Sequence, residues 1–477
     1  MIETTPQQVD AIVAAAAAAA GPWAAMELTE RAAALIAIAD RLDAHTEELI
    51  EAAGRETHLP EASLRRELTR TTFQLRLFAQ VVRAGEFLDV RVDPADPQWP
   101  MGVPRPDLRR MKVPLGPVVN FAAGNFPFTL SVAGGDTASA LAAGCPVVVK
   151  AHPGHPELSR LTARLVEEAL VETSAPLGVF GIVYGQDAGV RVLTHPAIAA
   201  AAFTGSTAGG RALFDLASRR SVPIPFYGEL GSINPVFVTS EAAEARAAEI
   251  AAGLFASVSF NSGQLCTKPN VVAVPEDSAL LREVRAAATV PVGELLNDAI
   301  AAGFAGSVER MSANPGVEVL RDAPDSVRLL STEAKTVLAD PTLVHEMFGP
   351  ATLLVRYRDD AELRELAASF DGQLTISIFG ETSDDTARTL IALAAAKAGR
   401  VLWNSWPTGV SVTYAQQHGG PYPATTAPGT TSMGTAAIER FLRPVVFQSV
   451  PDELLPRELR AENPLSIPRS VNGSRPR

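Results

Sequence analysis

Hydrophobic residues along this chain follow two periods, and the change from one to the other divides the sequence. Over residues 6–86 they recur at helical spacing with charges between them, as in LTERAAALIAIADRLDAHTEELIEAAGRE (28–56), which predicts a run of amphipathic helices. Prolines then gather between Val90 and Pro117 around the alternating segment LRRMKVPLG (108–116), the pattern of a linker with an exposed or edge strand. From Val113 onward, short branched apolar runs alternate with helix-like stretches: VPLGPVVNFA, PVVVKA, VFGIVYG, AAAFTG and PIPFYGEL. That alternation predicts a parallel sheet with crossover helices.

The polar residues fall at one end of these runs. Asn125 follows the first, Lys150 ends the second, Gly185 the third, Gly205 and Ser206 the fourth, and Glu229 the fifth. Open parallel sheets bind ligands outside the carboxyl ends of their strands, so these positions predict one composite site. After Glu229 come a helix around EAAEARAAEIAAGLFASVSF, the loop FNSGQLCTKP, and the runs NVVAVP, ATLLVRY, LTISIFG and RVLWNSW, which predict a second α/β unit reaching about residue 430. The tail segment FLRPVVFQSVP has strand composition and is expected to pair with LRRMKVPLG.

Composition narrows the class. A chain of 477 residues suits two or three domains, and 47% hydrophobic with 20% charged residues describes a globular protein. A net charge of −12 argues against a nucleic-acid partner. The alanine-rich stretch AIVAAAAAAAGPW resembles a signal core, but the preceding MIETTPQQVD is acidic where a signal needs positive charge; a surface-packed helix, no membrane span and a cytoplasmic location are expected. Two cysteines exclude a disulfide framework or a multi-Cys zinc site, so each needs its own explanation.

Cys145, among small and branched apolar residues in LAAGCPVVVK, reads as an inert buried thiol. Cys266 lies in a polar loop with Asn261, Ser262 and Gln264, where backbone N–H groups can favour thiolate; a lone loop cysteine is otherwise more often structural. Glu229 in FYGELGSINP is expected to be partly buried with its pKa raised toward neutrality, the alternatives being a structural ion pair or a helix cap. Asn125 in AAGNFPF offers an amide donor for an oxyanion or serves a turn. Lys150 suits a nucleotide ribose or phosphate, or snorkels at the surface. The segment GSTAGG (205–210) opens a helix with N–H groups free for a pyrophosphate, although no GxGxxG fingerprint occurs anywhere in the chain.

Six segments in order, GNFPF, VVVKAHP, FTGSTAGG, YGELGSINP, NSGQLC and HEMFGP, resemble those of the aldehyde dehydrogenase superfamily, nearly end to end. The resemblance implies an α/β fold with two Rossmann-like parallel-sheet domains and a small β oligomerisation element. Residues 1–95 and 115–230 would bind the cofactor, 231–435 would carry the nucleophile, and 96–114 with 436–477 would form the oligomerisation element and tail. It further implies Cys266 as nucleophile, Glu229 as general base and Asn125 as an oxyanion donor beside the Cys266 N–H. Lys150, Gly205, Ser206 and Glu346 become cofactor contacts, with Phe348 beside the nicotinamide ribose. The implied chemistry passes through a thiohemiacetal and a thioester, requires no metal, and takes place in a homodimer or homotetramer.

Two departures from the commonest pattern carry information. Ser232 stands where a second glycine is usual, and Pro153 stands where many NAD-preferring members carry a glutamate that binds ribose hydroxyls. Loss of that carboxylate predicts that NADP is preferred and NAD possible. Together with QHGGPYPATT and ENPLSI, the segments resemble the α-ketoglutaric semialdehyde (2,5-dioxopentanoate) dehydrogenase branch, which itself resembles NADP-dependent fatty aldehyde dehydrogenases. The implied small-molecule substrate is 2,5-dioxopentanoate, oxidised to 2-oxoglutarate, the alternative being a broad-range or fatty aldehyde. A carboxylate-bearing aldehyde needs a cation, and Arg65, Arg70 and Arg76 on one predicted helix are the candidates. Two rivals from other classes are a cysteine hydrolase, with His418 or His345 as base to Cys266, and a non-catalytic binding protein on the same fold.

Overall fold

Thr5 starts the first helix with a capping box: its hydroxyl accepts from Gln8 N, 3.3 Å away, and Gln8 Oε1 accepts from Thr5 N at 2.9 Å. In the computed structural model, which describes residues 3–474, four helices follow one another: α1 (Pro6–Ala24), α2 (Leu28–Ala44), α3 (Thr46–Thr57) and α4 (Glu61–Ala84). The alanine-rich stretch is the body of α1, which buries Val9, Val13, Ala16, Ala19 and Trp23 and leaves its other side to solvent. Its stripe of small residues suits close packing on the sheet behind it.

Two short strands, β1 (Val90–Asp93) and β2 (Leu108–Pro114), lead into the alternating region. There β3 (Val118–Phe121), α5 (Gly135–Ala143), β4 (Val147–Lys150), α6 (Pro156–Glu172), β5 (Phe180–Val183), α7 (Gln186–Thr194), β6 (Ala200–Thr204), α8 (Thr207–Ser218) and β7 (Phe226–Glu229) succeed one another. The strands form one parallel sheet in the order β5-β4-β3-β6-β7. Helices cover both faces, so Val147–Val149 and Ala200–Ala202 are fully buried, which is why these strands read as continuous apolar runs. Strand order reverses between β3 and β6, the point beyond whose strand ends open parallel sheets place their binding crevice.

The second half supplies β8 (Val236–Val238), β9 (Val271–Pro275), β10 (Val317–Arg321), β11 (Arg328–Glu333), β12 (Ala351–Tyr357), β13 (Gln373–Phe379) and β14 (Ala398–Trp403). Their order is β10-β11-β12-β9-β8-β13-β14, with only β10 antiparallel to its neighbour. Four of these strands are the four expected runs; β8, β10 and β11 are additional. Finally β15 (Leu442–Gln448) pairs antiparallel with β2, Leu442 opposite Pro114 and Gln448 opposite Leu108, as the tail composition anticipated. With β1 and β16 (Arg469–Val471) they complete a small sheet ordered β15-β2-β1-β16. This sheet therefore begins at Val90, inside the stretch 1–95 expected to belong to the cofactor-binding part.

One buried ion pair ties the tail to the first sheet's helices. Arg440, in the 3-10 turn before β15, bonds Asp136 in the first turn of α5, with side chains only 3% and 8% exposed. Removing one member strands the other charge, at a cost of about 3–5 kcal/mol. Arg440→Met should therefore lower the thermal unfolding midpoint markedly, and adding Asp136→Leu should recover much of the loss. Calorimetry on the single and double variants checks this, and equal midpoints for Arg440→Met and the unaltered protein would contradict it.

Candidate active site

The loop after β3 is fixed from outside the sheet. Glu67 of α4 accepts from Phe128 N at 2.7 Å and Thr129 N at 2.8 Å, and Thr71 meets the Thr129 hydroxyl at 3.2 Å. These bonds hold the preceding Asn125 at the crevice, where its Nδ2 donates to Gln264 O at 3.1 Å. The Cys266 loop arrives from the helix Ala247–Ser259 through Asn261, Ser262 and Gly263, all with left-handed backbone, at φ 47°, 53° and 68°. Gly263 is required there, because a Cβ would stand 2.3 Å from Gly349 O. Buried Asn234, from the GSIN segment after β7, donates to Cys266 O at 2.7 Å and Lys268 O at 3.0 Å, setting the loop's height above the sheet. Ser232 earns its place by bonding: its hydroxyl donates to Gln373 Oε1 at 2.9 Å and accepts from Leu374 N at 3.1 Å, joining this segment to β13.

Around the half-buried Cys266 the structure assembles a compact polar cluster. Its Sγ lies 3.6 Å from His418 Nε2, which lies 2.9 Å from Glu229 Oε1, while Ser432 Oγ donates to Glu229 Oε2 at 2.6 Å. Glu229 and His418 are 3% and 1% exposed, and the ligand atoms of Glu229, Cys266 and His418 all lie within 4.8 Å of one another. Burial pushes the Glu229 carboxyl up, but the charge of His418 and hydrogen bonds from His418, Ser432 and Cys266 outweigh it and leave the pKa below its ordinary value. This corrects the expectation of a carboxyl raised toward neutrality: Glu229 is ionised in the resting protein. Desolvation, then the charge of Glu229 and the bond to it, drive the Cys266 thiol well above its ordinary value. The loop thus holds a protonated thiol at rest, contrary to the expectation that its backbone would favour thiolate. Cys145, as expected, is fully buried, and burial takes its thiol up to about 11.

The remaining named residues line the crevice in two groups. Gly205 N donates to Glu229 O at 3.1 Å, and Ser206 caps α8, its hydroxyl accepting from Gly209 N at 3.2 Å. The first turn of α8 borders a cavity of about 280 Å3 whose lining includes Thr207, Gly231, Ser232, Phe370 and Glu346. A Cβ on Gly231 would come within 2.8 Å of both Thr207 Oγ1 and Glu346 Oε2, so a side chain there would displace these two groups. Burial raises the Glu346 carboxyl to about 7. Half-buried Phe348 follows in the same turn, which Asn270 Oδ1 holds by accepting from Met347 N at 2.8 Å. Lys150 stands apart at the end of β4; burial lowers its pKa, and it makes no hydrogen bond or ion pair among the described residues.

Two contributors, His418 and Ser432, had no place in the dehydrogenase reading of the sequence; His418 entered only as a base for the hydrolase rival. Both lie in a Gly-, Pro- and Thr-rich segment whose one sequence signal is the QHGGPYPATT match. His345, the other histidine of that rival, is engaged at both ring nitrogens by Leu343 O and Ser307 O, each 3.0 Å away, and serves structure.

With fold and site in view, the comparisons with known proteins agree. Residues 1–311 match the model of the aldehyde dehydrogenase family, and the chain belongs to this family of NAD(P)-dependent enzymes that oxidise aldehyde groups. It is 46% identical to alpha-ketoglutaric semialdehyde dehydrogenase 2 of Azospirillum brasilense, over 94% of this chain and 88% of that one. It is also 41% identical to the alpha-ketoglutaric semialdehyde dehydrogenase of Acinetobacter baylyi, over 93% and 87%. Aldehyde dehydrogenase 21 from Physcomitrella patens shares the fold with a TM-score of 0.78 at 22% identity, covering 94% of this chain and 92% of that one.

The opposed shifts of thiol and carboxylate are open to test by alkylation. Near neutral pH, iodoacetamide should modify Cys266 more slowly than an unperturbed thiol, since only thiolate reacts, and the rate should climb with pH. Glu229→Gln removes the foremost charge that keeps the proton on sulfur, so it should accelerate alkylation at neutral pH. Peptide mapping separates Cys266 from Cys145, and a slower reaction in Glu229→Gln would contradict the geometry.

Proposed function

We propose that this enzyme oxidises 2,5-dioxopentanoate to 2-oxoglutarate through a thioester on Cys266. The observation that carries the chemistry is the contiguous cluster of Cys266, Glu229 and His418 next to the Asn125 amide. The substrate rests on the two relatives named for this semialdehyde at 46% and 41% identity.

Cys266 Sγ bonds to the aldehyde carbon while its proton passes to the Glu229–His418 pair, which releases it to solvent. The oxygen becomes an oxyanion facing the Asn125 Nδ2 and Cys266 N–H donors. NAD(P), when bound, supplies the acceptor for the aldehyde's hydride. Loss of hydride re-forms the carbonyl as a thioester. Ionised Glu229 then takes a proton from water, the hydroxide adds to the thioester carbon, and the carboxylic acid leaves as sulfur regains its electron pair. His418 holds the Glu229 carboxylate in place throughout and shares its proton.

The donor set fits a dinucleotide. Lys150 is a strand-end cation with no ion pair among the described residues, the first turn of α8 offers N–H groups, and the Glu346 carboxyl lies beside Gly231 at the same cavity. Lys150, Gly205 and Ser206 would hold ribose and phosphate, and Glu346 with Phe348 the nicotinamide ribose. Pro153, exposed in the turn after β4, offers no carboxylate to repel a 2′-phosphate, which favours NADP over NAD.

The small sheet ends in β15, where Val446 is 55% exposed, and the large sheet ends in β14, where Val401 and Trp403 are 36% and 38% exposed. Unpaired edges of this kind favour association, and the enzyme is read as a homodimer or homotetramer, the small sheet serving as the oligomerisation element. No described helix is long and apolar enough to cross a membrane, and a cytoplasmic location goes with this reading.

The kcat/KM values for 2,5-dioxopentanoate with NADP and with NAD test the reading. NADP should be favoured, and a strong preference for NAD would contradict the role given to Pro153.

A further inference from the structure

A substrate with a carboxylate at one end and an aldehyde at the other must place its charge somewhere while the aldehyde lies at Cys266. Three arginines of α4 were candidates, and the structure separates them. Arg65 is bound by Glu47 at 2.6 Å and Glu61 at 2.7 Å, and Arg76 by Asp40 at 2.5 Å and Asp43 at 2.7 Å. Both are spent on surface ion pairs.

Arg70 is not. It makes no ion pair among the described residues, its buried Nε has no hydrogen-bond partner, and its Nη2 meets only the Met433 sulfur, 3.6 Å away. A thioether is a weak acceptor, so this half-buried guanidinium keeps most of its donor capacity unused. Leaving it so is costly unless a ligand completes it.

Its position is equally specific. Arg70 lies one turn beyond Glu67, which grips the loop carrying Asn125, and Met433 directly follows Ser432, which binds Glu229. Met433 packs with buried Ala123 and Leu130 and partly buried Phe126 and Val410, so an apolar cluster adjoins the guanidinium. Burial lowers the pKa of Arg70, and Glu67, then Cys266 and Glu229, act against that, which puts the guanidinium within electrostatic reach of the thiol and carboxylate. Glu67 does not neutralise it fully: burial raises that carboxyl to about 7, and its Oε1 is already occupied by two backbone N–H groups.

We propose that Arg70 is the anchor for the carboxylate of an oxo-acid substrate, receiving it on the guanidinium fork while the aldehyde carbon lies at Cys266 Sγ. The assignment rests on the substrate reading above and makes Arg70 a specificity-determining binding residue. Guanidinium and carboxylate match in plane and charge, and the incoming carboxylate takes over the contact that Met433 sulfur now holds.

The test compares kcat/KM for 2,5-dioxopentanoate with that for pentanal, an uncharged aldehyde of the same chain length, in the unaltered enzyme, Arg70→Met and Arg70→Lys. The unaltered enzyme should favour the oxo acid. Arg70→Met should lower the ratio of the two values by roughly 10- to 100-fold, mainly through KM, as loss of a hydrogen-bonded charge pair implies. Arg70→Lys, which keeps the charge but not the fork, should retain part of the preference. Turnover of pentanal shows that each variant is folded. A preference that survives Arg70→Met overturns the anchor alone and leaves the substrate reading standing. Absence of any preference in the unaltered enzyme overturns the substrate reading and the anchor with it.

Discussion

A carboxylate only 3% exposed cannot remain ionised unless something offsets its lost hydration, and the proposed active site depends on how Glu229 meets that condition. The partners come from far along the chain. Glu229 ends β7, the edge strand of the first sheet, and the 418–432 segment runs back along that edge: Thr425 bridges Glu229, Leu230 N donates to Ala424 O at 2.8 Å, and Thr426 N to Gly228 O at 3.0 Å. These bonds cover the open edge and deliver His418 and Ser432 to the carboxylate. The first sheet and the long return loop therefore complete one site that neither builds alone.

The consequence is a chemical division of labour between two groups that oppose each other. Glu229 is held ionised, and its charge in turn helps hold the Cys266 proton in place. A resting thiol in this state resists adventitious oxidation and alkylation, since both act on thiolate. A second pair follows related rules deeper in the crevice: burial lowers the Lys268 ammonium to about 7 and raises Glu346 to about 7. Lys268 is fixed by Asn270 Oδ1 and Ala351 O, each 2.6 Å away, so its place is structural. Glu346 is left with a carboxyl close to neutrality beside the cavity at α8.

What could be read in the sequence follows from what local pattern encodes. Strands β3 to β7 were legible because burial on both faces leaves nearly uninterrupted apolar runs, and the polar residues that end them mark the crevice. Strands β10 and β11 were not, because VEVLR interleaves charge at a sheet edge and RLLSTE carries Ser331 and Thr332 into full burial. The direction of the Glu229 shift was misread because it is set by His418, 189 residues away, which no local window contains. Arg65, Arg70 and Arg76 look alike in sequence; only the acids placed opposite two of them single out the third. Cys266, Glu229 and Asn125 could be named beforehand; His418 was named only as a base to Cys266 in the hydrolase rival, and its bond to Glu229 needed the fold.

The central claim is that Glu229 is indispensable only after sulfur has bonded to the substrate, as the base for water, because His418 can still take the thiol proton without it. Intact-mass measurement on Glu229→Gln, mixed with NADP and 2,5-dioxopentanoate, reads this directly. One equivalent of NADPH should form per active site, and the protein should gain the mass of one acyl group, located on Cys266 by peptide mapping. Sustained turnover with unmodified Cys266 would contradict the account.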